Sequence, residues 1–162
     1  MPGSLHLGKI AGIDIYIHFS WLIIFVFLTW SLATGWFPQL YPGWSTATYW
    51  LVSAVAALLL FVSVLLHELA HSFVARARGL PVKNITLFIF GGVSNIQQEP
   101  TSPGVEFQVA VVGPVVSLLI GFVAYLLMLP LRGSNSPLQG ILFYLGVTNI
   151  LAPLRAPRMD PR

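Results

Sequence analysis

Leu51 to Arg78, LVSAVAALLLFVSVLLHELAHSFVARAR, is the stretch on which the fold turns. It begins with an uncharged apolar run from Leu51 to Leu66, passes into His67-Glu68-Leu69-Ala70-His71, and ends at Arg76-Ala77-Arg78-Gly79. A run of this length and polarity reads as a transmembrane helix. Ionisable groups inside such a helix are expensive and usually functional. On a helix, His67 and His71 stand at i and i+4 on one face, where both imidazoles can reach a single Zn2+. Glu68 lies close to that face, where it can take a proton from a water on the metal.

Composition agrees with a membrane setting. The 162 residues are 56% hydrophobic and 8% charged, with a mean hydropathy of +0.82; soluble domains carry roughly 25% charged residues. Cysteine is absent, so thiolate ligands and disulfides are excluded and a metal must be held by His, Asp or Glu. The supply is His6, His18, His67, His71, Asp14, Glu68, Glu99, Glu106 and Asp160. The net charge of +3 comes from Lys and Arg near helix ends, which fits anchoring in a bilayer and gives no nucleic-acid surface. Residues 1–20 hold Asp14 and His18 and do not read as a secretory signal.

The expected fold is an all-α polytopic membrane protein of about four transmembrane helices, with a small membrane-associated β-hairpin or strand element between spans two and three. The spans are expected near residues 19–35, 49–75, 105–129 and 138–151, with FPQLYPGWSTAT (Phe37 to Thr48) as a loop. Gly79 and Pro81 stop the second helix. Val82 to Ile96 is β-branched and aromatic, interrupted by Gly91-Gly92, and reads as short strands around a glycine turn. Residues 1–152 then form a transmembrane core and 153–162 a basic tail. Lys9, Arg76, Arg78, Lys83 and the arginines after residue 154 lie on one side, and Arg132 alone on the other. The positive-inside rule therefore puts both termini in the cytoplasm. His71 and His67 fall roughly 8 Å and 14 Å from Arg76 along the helix axis, inside the bilayer near its cytoplasmic face.

Read together, HELAH-S-F-V-A-R-A-R-G, then FIFGGV, then E-F-x-x-A-x-x-G-P-x-x-S resemble the site-2 protease family of intramembrane zinc metalloproteases. The resemblance runs from about Gly8 to Asn149 and is strongest from Leu65 to Leu119. It implies a Zn2+ cofactor held by His67 and His71, with Glu68 as general base or acid. It also implies that the Gly91-Gly92 segment, with Val93, borders the site and holds substrate in extended form along an open strand edge; Ile89, Phe90 and Ser94 are weaker assignments there. A helical substrate must unwind before a peptide bond can be attacked, so an edge strand suits the task. Ser117, three residues after Pro114, takes the family position for packing by the zinc and polar help to the scissile carbonyl. The implied third ligand is an Asp from a later span; here Asp160, in Pro157 to Arg162, keeps a trace of that motif.

Two readings of Asp160 stay open, the third ligand or a solvated acid in a frayed basic tail. The chain is accordingly expected to be a C-terminally truncated or degenerate member. Glu106 opens span three, where an acid favours the positive end of the helix dipole. Asp14 and His18 precede span one and serve as interface hydrogen-bonding groups or alternative ligands. The expected activity is hydrolysis of peptide bonds in membrane-spanning or membrane-anchored proteins, in the plasma membrane of a prokaryote. The alternative is an inactive relative that acts as a membrane-embedded binding or structural protein. A metal transporter is the weaker rival, because spans one and four offer almost no polar groups. Oligomeric state is not legible in the sequence.

Overall fold

The computed structural model describes residues 3–89, 91–98 and 102–151. The chain opens with a hairpin, β1 (Ser4–Ile10) and β2 (Ile13–His18), followed by α1 (Ser20–Ser31). A π-helical turn (Leu32–Trp36) carries α1 into a short α2 (Phe37–Leu40), and the long α3 (Thr46–Ala77) follows. Then come β3 (Val82–Phe88), β4 (Gly91–Ile96), α4 (Pro103–Met128), a 3-10 turn (Leu129–Leu131) and α5 (Pro137–Leu151).

Three helical stretches are long and apolar enough to cross a membrane: Ser20–Leu40, Thr46–Ala77 and Pro103–Leu131. α5 is apolar but 15 residues long, roughly 22 Å at 1.5 Å per residue against a hydrocarbon core of about 30 Å. Among the described residues the expectation of about four spans thus becomes three of spanning length and one shorter helix. The first span also runs beyond the expected residue 35. Phe37–Leu40, expected as loop, is helical because the wide turn before it accommodates the missing amide hydrogen of Pro38.

α3 has well-defined ends. Ser45 caps it by accepting a hydrogen bond from Thr48 N at 3.1 Å. At the other end Gly79 adopts φ +82°, Leu80 N donates to Ala75 O and Gly79 N to Arg76 O. This pair of bonds is a Schellman stop, with Leu80 buried beside Ala75.

The strand element is larger than the sequence reading anticipated. The expected hairpin between the second and third spans is present as antiparallel β3 and β4, but it extends a four-stranded sheet of order β1-β2-β3-β4. The N-terminal hairpin turns at Ala11-Gly12, both with positive φ, and β2 runs parallel to β3 from Asp14↔Asn84 to Ile17↔Leu87. Alternation decides which face is covered: Ile13, Ile15, Ile85 and Leu87 are buried, whereas Asp14, Tyr16, Asn84 and Thr86 face away. The buried face packs on Leu65 and Leu69 of α3, which flank the His67-Glu68 pair. At the opposite end of α3, Phe37, Tyr41, Val52, Ala56 and Tyr144 form a second core with Trp36 and Trp44 around them.

Candidate active site

The site lies where α3 passes between the sheet and α4. Leu69 anchors one side of the helix to Ile13, Ile15 and Ile85, and the 3.6-residue period then turns His67 and His71 toward α4. Their Nε2 atoms stand 3.0 Å apart, and their rings meet nearly edge to face. Two nitrogens on a tetrahedral ion with bonds of about 2.0–2.1 Å would be a little over 3 Å apart, so the pair has nearly the spacing a shared zinc requires.

The far side of each ring is fixed. His71 Nδ1 donates to Val109 O at 2.6 Å and His67 Nδ1 is 2.8 Å from Ser117 Oγ. Both partners come from α4. Such bonds hold the ring plane and leave Nε2 to face a metal. Gly113 lies beneath the pair: a Cβ built on it would stand 2.6 Å from His67 Nε2 and would overlap His71 Nε2. Any side chain there would fill the space in front of the two nitrogens. Pro114 follows; it withholds an amide hydrogen from the Ala110 carbonyl and crowds the turn that offers Val109 O to His71.

Glu68 approaches from the sheet side. Gly92 of β4 makes room for it, since a Cβ there would overlap Glu68 Cγ. Ser94 Oγ donates to Glu68 Oε2 at 2.8 Å. A cleft of about 450 Å³ runs between β4 and α4, lined by Glu68, His71, Gly92, Val93, Glu106 and Val109. Among the described residues β4 has β3 on one side only, and its other edge has no strand partner. Gly91, at φ +127°, adopts a backbone conformation that L side chains rarely take.

Of the residues singled out in the sequence, the fold brings together His67, Glu68, His71, Gly92, Val93 and Ser117. Ser117 is buried, with its hydroxyl against His67. Glu106 sits in the first turn of α4 and also on the wall of the cleft. His6 and Asp14 pair with each other at 3.0 Å, Lys9 joins them, and His18 bonds Ser20. Among the described residues no third His, Asp or Glu completes a metal-binding group with the histidines. Asp160, Phe90 and Glu99 lie outside the described residues. Sequence reasoning passed over Ser72, whose signal was its i+4 spacing from Glu68, and Val109, which acts through a carbonyl and so has no side-chain signal.

The chain is similar to known proteins over most of its length. The model of peptidase family M50 matches residues 55–155. A Synechocystis protein that carries the name of a zinc metalloprotease, sll0528, is 39% identical over 160 residues, covering 95% of this chain and 40% of its own. Rip3 of Mycobacterium tuberculosis, also named as a zinc metalloprotease, is 37% identical over 156 residues, covering 95% of this chain and 39% of its own. The solved site-2 protease from Methanocaldococcus jannaschii superposes with a TM-score of 0.64 at 28% identity, over 97% of this chain and 66% of that one. The chain therefore belongs to peptidase family M50, the site-2 protease family, and is an integral membrane protein. It spans about two fifths of the length of the two named relatives.

Proposed function

We propose that this chain carries the catalytic core of an intramembrane zinc metalloprotease that hydrolyses peptide bonds of membrane-spanning or membrane-anchored proteins. The observation that carries the reading is the facing pair of Nε2 atoms, 3.0 Å apart on an apolar 32-residue helix, each ring tied at Nδ1 and the space before them kept open by Gly113. His67 and His71 would hold the metal, and Asp160 is our assignment for the third ligand. Zinc, when bound, supplies the Lewis-acid charge that makes a water acidic near neutral pH.

The chain's own groups do the rest. Glu68 accepts a proton from water at one carboxylate oxygen and returns it to the leaving amine. The unpaired edge of β4, at Gly92 and Val93, receives the unwound substrate as an added strand and lays its backbone along the cleft. Lys9, Arg76, Arg78 and Lys83 orient the chain with its sheet and termini on the cytoplasmic side of a prokaryotic plasma membrane.

The direct test uses the purified chain in detergent, with zinc content and cleavage of a model transmembrane substrate measured for wild type and Glu68→Gln. Both forms are expected to retain zinc, and cleavage is expected to fall about 100-fold or more in the variant. Equal cleavage by the two forms would sink the proposal. Zinc binding without any Glu68-dependent cleavage would favour the membrane-embedded binding protein instead.

A further inference from the structure

Two hydroxyls between α3 and β4, those of Ser72 and Ser94, have no step in the reaction proposed above. Ser72 lies one helical turn after Glu68 and is fully buried. A serine inside a helix commonly returns its proton to the carbonyl four residues back, which here is Glu68 O. Ser72 Oγ instead donates to Ser94 Oγ at 3.2 Å. Ser94 Oγ in turn donates to Glu68 Oε2 at 2.8 Å, and lies 3.3 Å from Glu68 O. An ionised carboxylate only accepts hydrogen bonds, so the direction of the chain is set by its end: Ser72 to Ser94 to Glu68.

We propose that Ser94, held by Ser72, is the positioning residue for Glu68. Its hydroxyl occupies one carboxylate oxygen and commits the other to proton transfer in the cleft that Glu68 shares with His71. This rests on the protease reading above. A glutamate has three side-chain torsions, and misplacement of a catalytic group by about 1 Å costs on the order of 100-fold in rate. β4 removes that freedom in two ways, since Gly92 admits Glu68 Cγ and Ser94 ties its carboxylate. The tie is itself rigid. Ser94 is paired with Ile85, which is fully buried against the α3 side of the sheet. The strand that would receive substrate thus also sets the angle of the base.

The test uses the full chain in detergent with four variants. Ser94→Ala is expected to lower kcat about 10-fold or more, with KM and zinc content unchanged. Ser94→Thr keeps a hydroxyl on a strand position and should recover most of that loss. Ser72→Ala should fall between Ser94→Ala and wild type. A Ser94→Ala enzyme within about twofold of wild type in kcat, or one that loses only KM, overturns the proposal.

A readout independent of catalysis comes from the absence of native cysteine. Ser72→Cys with Ser94→Cys places two sulfurs where the hydroxyls now lie 3.2 Å apart, and mild oxidation is expected to close a disulfide in the folded chain. If wild type binds zinc but cleaves nothing, the protease reading fails. The contact of Ser72 with Ser94, on which the positioning of Glu68 depends, is then upheld by a disulfide that closes and overturned by one that does not.

Discussion

Gly113 stands under His67 so closely that a methyl group on its Cα would come within 2.6 Å of the imidazole Nε2. The helix pair can be this close only because residue 113 has no side chain. Gly113→Ala is therefore expected to push both rings off their shared point and to weaken zinc binding by about 10-fold or more, the scale at which groups supporting a metal site act. Metal titration of the purified variant checks this. Zinc affinity equal to wild type would show that the rings do not converge in front of Gly113.

Ser117 governs only one of the two rings. Ser117→Ala removes the partner of His67 Nδ1 and leaves Val109 O on His71 untouched. Zinc affinity should fall about 10-fold, with Ser117→Thr close to wild type because the hydroxyl is retained. The same titration decides the matter.

The contact of α4 with α5 depends on small residues, as membrane helix pairs commonly do. A Cβ on Gly121 would meet Ile150 Cγ1 at 2.8 Å and Gly146 O at 3.1 Å. Gly121→Val should separate the helices and cost about 1–3 kcal/mol, seen as a lower midpoint of thermal unfolding in detergent. An unchanged midpoint would mean that α5 is not seated on α4 through these glycines.

At the far end of the bundle, Phe37 is fully buried among Trp36, Tyr41, Trp44 and Tyr144. Phe37→Ala should cost about 3–5 kcal/mol. Because this cluster is remote from His67, zinc stoichiometry per folded molecule should not change. A variant that keeps its stability would show that the aromatic cluster does not hold α2 in place.

How far these features could be read in the sequence depended on whether their causes were local. The HELAH face of α3, its glycine stop and the two strands after it follow from spacing within a few residues. The N-terminal hairpin escaped because half of its signal is misleading: Leu5 and Leu7 of β1 face outward, so their alternation does not mark a core. Its partner β3 is also some 70 residues away, and parallel pairing at that distance leaves no local pattern. FPQLYPG contains the residues of a loop, yet the π-helical turn before Pro38 lets the helix continue. At the site, the chemistry-bearing residues were visible as residue types. Of their supports, Gly113 and Ser117 were legible in the G-P-x-x-S pattern, whereas Val109 acts through its backbone and Ser72 through a partner on another element, and neither leaves a signal in side-chain type.

The hydrogen bonds around the histidines also predict what zinc removal does to each ring. Val109 O can only accept, so His71 carries its proton on Nδ1 and presents a lone pair at Nε2. His67 Nε2 lies 3.0 Å from that lone pair, so a direct hydrogen bond between the rings after chelation would place the His67 proton on Nε2. His67 Nδ1 then accepts from the Ser117 hydroxyl. To hold zinc, both Nε2 atoms would have to offer lone pairs, which would put the His67 proton on Nδ1 with the Ser117 hydroxyl as its acceptor. The hydroxyl can serve in either direction, which a carbonyl cannot. Nitrogen-15 NMR of chain labelled at histidine, recorded with zinc and after chelation, should therefore show a change of tautomer at His67 and the Nδ1–H tautomer at His71 in both states. A change at His71, or none at His67, would show that these partners do not set the tautomers.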